Sequence, residues 1–460
     1  MLDTSMKEAL AGQLRGNLLT QNDTGYDEAR SVENGMIDRK PALIAQCSGQ
    51  ADVITCVNFA RENGFPLSVK GGGHGVAGKA ICDDGLVIDL APMKGVLVDP
   101  ERKTAKVQAG ARLGDLDHET QKFGLAVPAG MISTTGVAGL TLGGGFGHLT
   151  RRFGLTTDNL VAADVVTADG SLVRACEREN PDLLWALRGG GGNFGVVTSF
   201  EFRLHEVGPE ILVARTYHLL DDARAVIRFY QDFMDGAPRE LGCTCVVSRI
   251  SPDPTFPEEH HDTPAVSLLA LDSRREATEE NTLLRKITSF GNPILRAIAP
   301  MEYTSLQSAA DDAFPKGGRY YWKSQHLSSL PDEAIDRILE NVGTVPGEYT
   351  NFHFETMGGA VNEIDQSATA FPHRDSAFTF SVPAGWADPA RDDEITSWAQ
   401  RLHEAARPFS TGGTYVNYIQ DDSGTEFKAA YGNNFERLRE IKKRYDPQGL
   451  FDAHQRIAAG

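Results

Sequence analysis

Glycine is distributed unevenly along this chain, and that unevenness constrains the fold more than any other feature. Three clusters fall within the first 200 residues: Gly71-Gly72-Gly73, Gly143-Gly144-Gly145-Phe146-Gly147, and Gly189 to Gly192 with Gly195. Residues without Cβ let successive N–H groups turn toward one point and let a ligand approach the backbone closely. The third cluster invites a Rossmann reading, but that mechanism needs strand, glycine turn, then helix. Here the helical PDLLWALR precedes the glycines, and the β-branched run 196–202 follows them. The order is reversed. No P-loop, HExxH, nucleophile-elbow or EF-hand pattern is present. The first cluster is different, because LSVKGGGHG (67–75) runs from a strand directly into consecutive glycines. Alone, that is as well read as a plain tight turn. Three such clusters in one half-chain favour a dinucleotide cradle.

At 460 residues, the chain exceeds what a single core usually organises, so two domains are expected. Short strands such as LIAQC, GLVIDL, TAKVQAG and NLVAADVVTADG alternate with helical stretches over 51–63 and 114–123, an α+β pattern. From about 206 to 410, strand-like ILVARTYHL, TCVVSRI, AVSLLAL and FTFSVPAGW alternate with helices over 221–234 and 332–341, suggesting an antiparallel sheet backed by helices. The tail turns helical in FERLREIKKRY before Pro447. The N-terminal 19 residues read as a short amphipathic helix, not a signal peptide.

The net charge of −18 argues against a nucleic-acid partner. No run of about 18 apolar residues is present, so no membrane span is expected. Six cysteines form neither a disulfide framework nor a CxxC zinc pattern. Cys243 and Cys245 share one face of a strand and read as core. A cytoplasmic setting fits.

Taken together, KGGGHGVAG (70–78), VIDLAPM (87–93), VPAGMISTTGVAGLTLGGGFG (127–147), FGLTTDNLVAADVVTADG (153–170), LLWALRGGGGNFGVVTSFEF (183–202), GTYVNY (413–418), YGNNFERLREIKKRYDPQGLF (431–451) and HQRI (454–457) resemble the FAD-linked oxidases of the vanillyl-alcohol-oxidase (PCMH-type) fold. The branch resembled is the berberine bridge enzyme-like one, close to its singly linked bacterial members: the 6-hydroxy-D-nicotine oxidase-like enzymes and antibiotic-tailoring flavoenzymes. The resemblance implies an FAD-binding domain of residues 1–205 rejoined by 411–460, and a substrate domain of 206–410. It implies FAD bound covalently through His74 to the 8α-methyl of the flavin. The segment that carries a second, cysteinyl link in many relatives has Ile132 at the matching position, so a single link is expected. Gly71, Gly72, Gly73 and Gly75 would line the pyrophosphate, with Gly136, Gly139, Gly143 and Gly144 near the ribityl chain and phosphates. Asp158 and Asn159 would lie beside the flavin, Gly195 and Val197 near adenine, and Gln455 of HQRI is a further cofactor contact.

The resemblance also places Asn417 near flavin N5 and makes Tyr418 a base toward substrate, with Tyr415 as a third catalytic candidate. On a strand, 415 and 417 of TYVNY face one way and 416 and 418 the other, unless a bulge or turn intervenes. A phenol with a pKa near 10 needs a neighbouring cation or hydrogen-bond donors to serve as a base near pH 7. Alternation in NFHFE puts His353 and Glu355 on one strand face, as substrate contacts or as a solvated edge. Tyr320, Tyr321 and Trp322 form either an aromatic wall or core, with Tyr321 the substrate contact expected. FPHR (371–374) matches the family, but its ring-closing carboxylate is not evident in SAFTFSV. The expected activity is hydride transfer from an alcohol or amine carbon of a small molecule, with O2 as acceptor giving H2O2. Two alternatives are a tailoring oxygenase and a binding protein without turnover. Substrate identity and oligomeric state are not legible.

Overall fold

Strand Leu67–Lys70 pairs in parallel with Leu86–Asp89, which pairs in parallel with Leu43–Gln46, and Asn17–Leu19 closes this four-stranded sheet in antiparallel sense. The computed structural model describes residues 4–420, 425–452 and 457. Among them, a second, antiparallel sheet has five strands in the order Val96–Asp99, Thr104–Gln108, Val196–Arg203, Leu160–Val166 and Leu172–Cys176. The central parallel strand Leu86–Asp89 is buried along its whole length because both of its faces are covered.

The N-terminus departs from expectation. Its helix is short, Thr4–Ala11, and Asn17–Leu19 is a strand. Asp52 is the cause, because its carboxylate accepts the N–H groups of Arg15 (2.9 Å), Gly16 (3.0 Å) and Ser48 (2.8 Å) and holds that segment extended against Leu43–Gln46.

Residues 210–386 build a seven-stranded antiparallel sheet, ordered Leu295–Glu302, Glu210–Leu219, Pro264–Asp272, Leu241–Arg249, Asn351–Thr356, Phe378–Trp386 and Arg319–Leu327. Helices Ala223–Asp235, Asp332–Val342 and Asp392–Ala406 cover one face. On the first of these, Ala223, Val226, Ile227, Tyr230 and Met234 are buried at helical spacing, and the Tyr230 hydroxyl donates to the Phe354 carbonyl at 2.9 Å. Phe352, Phe354 and Phe380 pack beneath them. Each such side chain contributes roughly 2–3 kcal/mol when fully buried. Cys243 and Cys245 lie in this core. The opposite face of the sheet is left to form a cavity wall.

The tail returns to the first core. Phe427, Tyr431, Leu438, Ile441, Phe451 and Ile457 pack with Leu183, Trp185 and Phe194, and Arg437 lies over the Trp185 ring at 3.8 Å. Lys442 is fully buried, donating to the Asn193 carbonyl (2.9 Å) and the Asp446 carboxylate (2.5 Å). This tail carries the Tyr415–Tyr418 turn across to the seven-stranded sheet. Gln420 accepts from Trp322 N–H (3.1 Å) and donates to the Tyr320 carbonyl (3.1 Å), on the outer strand Arg319–Leu327.

Candidate active site

The glycine turn after Lys70 meets the turn before helix Val137–Gly143, backbone against backbone. A Cβ on Gly72 would stand 2.4 Å from the Gly136 nitrogen, and one on Gly136 would stand 2.4 Å from the Gly72 nitrogen. No other residue fits at either position. Gly73 has φ 69°, a left-handed conformation. The N–H groups of Gly72, Gly73, His74 and Gly75 make no hydrogen bond to the rest of the chain among the described residues. They are therefore available to an anion.

His74 sits at the head of this turn. Its Nε2 is buried and has no hydrogen-bond partner. Burial, with the Arg112 charge adding to it, pushes the imidazole down to about 4, so the ring is neutral near pH 7. A neutral imidazole whose Nε2 is buried and unpartnered thus stands beside a cradle of open N–H groups.

A cavity of about 1250 Å³ runs from the cradle to the bare face of the seven-stranded sheet. It exceeds the roughly 300–1,000 Å³ usual for one small ligand, as a shared cofactor and substrate space would. His74, the glycines at 71–73, 75, 136, 139 and 195, Val197 and Ile132 all line it, and no cysteine does.

Tyr415 to Tyr418 are not a strand. Val416–Tyr418 is a 3-10 turn, closed by Tyr418 N–H donating to the Tyr415 carbonyl at 2.9 Å. Three residues per turn bring Tyr415 and Tyr418 to the same side, with ring centroids 4.9 Å apart. Tyr418 in turn meets Trp322 edge to face at 4.9 Å, and Trp322 meets His74 at 6.2 Å. The Tyr415 hydroxyl accepts from Gly145 N–H (3.0 Å) and from the Asn417 amide (2.9 Å), whose nitrogen also reaches the Gly139 carbonyl (3.2 Å).

Among the described residues, no cation or hydrogen-bond donor meets the Tyr418 hydroxyl to support a phenolate. Burial, then the Glu355 carboxylate and Tyr415, hold its phenol well above the usual value. Each of these opposes ionisation.

Register places the sheet's cavity-facing residues in rows. Arg215, Leu269, Thr244 and Glu355 form one row, and Tyr217, Ser267, Val246 and His353 the next. His353 Nδ1 pairs with Asn351 Oδ1 at 2.8 Å, turning Nε2 toward Glu355 Oε2 at 3.4 Å. Both of those facing atoms are buried and lack a hydrogen bond. A ligand hydroxyl or amine can satisfy both at once.

Other expected positions lie elsewhere. Tyr321 points into the helix-backed core, where its hydroxyl accepts from Gln400 at 3.1 Å, and Trp322, one residue on, takes the cavity face. Asp158 holds Arg374 through two 2.7 Å hydrogen bonds, and Asn159 Oδ1 meets His205 at 2.6 Å. Neither lines the cavity, because both brace the loop before strand Leu160–Val166. Gly143 and Gly144 pack behind the cavity wall against Asn417, Tyr415 and Phe371. Gln455 lies outside the described residues. Sequence reasoning passed over Arg215, Tyr217, Thr244 and Phe146. Period-two alternation in ILVARTYHL puts Arg215 and Tyr217 on one face and was the available signal.

A family model described as an FAD binding domain matches residues 41–175, and one described as berberine and berberine like matches residues 414–458. The chain is 39% identical over 458 residues to (R)-6-hydroxynicotine oxidase of Paenarthrobacter nicotinovorans, covering 97% of each chain. It is 33% identical to an FAD-linked oxidoreductase of Dictyostelium discoideum, covering 91% of this chain and 88% of that one. Among solved structures, 6-hydroxy-D-nicotine oxidase from Arthrobacter nicotinovorans superposes with a TM-score of 0.87 at 25% identity over the full length of both chains. Xylooligosaccharide oxidase from Myceliophthora thermophila gives 0.85 at 26% identity over 99% of each.

Proposed function

Because the chain belongs to the berberine bridge enzyme-like family of FAD-linked oxidoreductases, we propose that it carries FAD covalently on His74 and oxidises an alcohol or amine carbon of a small molecule at the expense of O2. The observation that carries this reading is the unpartnered, neutral His74 Nε2 at the head of an open glycine cradle. The link would replace one hydrogen on His74 and one on the flavin methyl, with O2 as the oxidant. Ile132 offers no thiol for a second one. We divide the chain accordingly into an FAD-binding part, 1–205 with 411–460, and a substrate part, 206–410.

Bound FAD supplies a two-electron acceptor for hydride from carbon. The protein's residues do the rest. Gly71 to Gly75 would hold the pyrophosphate with N–H groups, and Gly195 and Val197 would face the adenine end. Trp322, Tyr418 and Phe146 form an apolar wall that excludes water and orients a flat substrate. Tyr415 fixes the amide of Asn417, which would lie near the flavin. Tyr418 stays a neutral phenol and orients the substrate heteroatom by hydrogen bonding. Glu355 and His353 accept and hold the proton leaving that heteroatom. No described helix is long and apolar enough to cross a membrane, and all six cysteines are free. Both fit a cytoplasmic enzyme.

The test mixes the purified protein anaerobically with alcohols, amines, 6-hydroxynicotine and xylooligosaccharides while following loss of the flavin's visible absorbance. Oxygen is then admitted and peroxide counted. One peroxide per product supports an oxidase. Oxygen from O2 appearing in the product would contradict it.

A further inference from the structure

The seven-stranded sheet carries a cation with no partner among the described residues. Arg215 sits on the strand Glu210–Leu219, second from the sheet edge, with its side chain in the cavity wall. Its Nε is buried and has no hydrogen-bond partner, and no ion pair forms with any described carboxylate. Of the two other arginines on the wall, Arg391 pairs with Glu394 at 2.9 Å, and Arg249 donates one long hydrogen bond, 3.4 Å, to the Val345 carbonyl. The chain has 63 acidic residues against 45 Lys and Arg, so a guanidinium without a partner does not follow from a shortage of carboxylates. Leaving a shielded N–H donor unpaired costs stability. A ligand that pairs with it would offset that cost.

Its surroundings narrow the ligand. Tyr217 and Phe256, ring centroids 4.8 Å apart, stand beside it. His148, pushed down to about 4 by burial and then by Arg215 itself, is neutral and adds no anion. Glu355 lies in the same cross-strand row, three strand spacings away, roughly 14 Å between backbones. That gap separates a fixed cation from the carboxylate and imidazole that receive the substrate's heteroatom. A guanidinium fork suits a planar carboxylate, held by two parallel N–H bonds.

We propose that Arg215 is the anchor of an anionic subsite, and that the substrate is an alcohol or amine bearing a carboxylate at its far end. The proposal rests on the flavin reading of the cavity, because it takes the reacting end to lie between the cradle and Glu355.

The probe is 4-(hydroxymethyl)benzoate, compared with its carboxamide, which matches it in shape and lacks the charge. Binding to the flavin-loaded protein is read by calorimetry and by perturbation of the visible flavin band. The carboxylate binds at least tenfold more tightly than the amide to the unmodified chain, and added salt reduces the difference. R215M removes the difference, and R215K retains part of it. Equal binding of both compounds, no binding of either, or an undiminished preference in R215M would overturn the proposal. So would an R215M protein whose flavin spectrum shifts without ligand while its carboxylate affinity holds, because Arg215 would then serve the cofactor. A colourless protein refutes the flavin reading separately, and calorimetry still scores the carboxylate.

Discussion

The side chain of Asn417 occupies the space that a Cβ on Gly143 would take: such an atom would stand 2.3 Å from Asn417 Oδ1 and 2.4 Å from its Nδ2. The last residue of helix Val137–Gly143 thus sets where the Asn417 amide can lie. G143A forces that amide away from the Tyr415 hydroxyl and the Gly139 carbonyl. The expected loss is about 1–3 kcal/mol of stability and, from misplacement of a group proposed to lie at the flavin, roughly 100-fold in the rate of flavin reduction. Thermal melts and anaerobic stopped flow measure the two.

Asp158 and Arg374 form a pair with side chains 5% and 2% exposed. D158N leaves a buried guanidinium uncompensated and should destabilise the fold by about 3–5 kcal/mol. The effect should persist in protein produced without flavin, which a cofactor contact would not show. Denaturant unfolding of both forms decides.

A neutral Tyr418 has a kinetic signature. Burial and Glu355 hold its phenol above the ordinary value, so the rate of flavin reduction should show no phenol ionisation up to about pH 10. Y418F should lower the rate by roughly 10-fold to 100-fold, as loss of an orienting hydrogen bond does, without changing the shape of the pH profile. A limb near neutral pH that disappears in Y418F would restore the phenolate.

Asp117 links stability to pH. It is buried on helix Leu113–Gln121 and pushed up to about 7 by desolvation, against the hydrogen bond from Gln307. Between the unfolded value near 4 and about 7, the folded state binds the extra proton, so stability falls as pH rises through that window and levels off above it. The whole effect is about 4 kcal/mol at most. D117N should flatten this part of the curve and raise the melting temperature at pH 8 more than at pH 5.

Much of this is legible in the sequence. The glycine clusters, the reversed helix-to-strand order around residues 181–202, and the alternation in NFHFE are local patterns, and local patterns fix which face a residue takes. The rest lies where tertiary context decides. TYVNY has strand-like composition, yet it crosses between two cores and tightens into a 3-10 turn that sets Tyr415 and Tyr418 edge to face. Of three adjacent aromatics, only register shows that Trp322 faces the cavity and Tyr321 the helices. Asp158 matched a flavin-side motif, but its partner Arg374 is 216 residues away. No window of sequence shows that pairing.

The central claim is that a carbon–nitrogen bond joins His74 to the flavin. Protein made in riboflavin-replete cells should, after denaturation, show an intact mass equal to the chain plus one FAD less two hydrogens. The extra mass should map to the peptide containing His74, and H74A should show the bare chain. A wild-type chain of bare mass, or an adduct that survives H74A, would contradict the account.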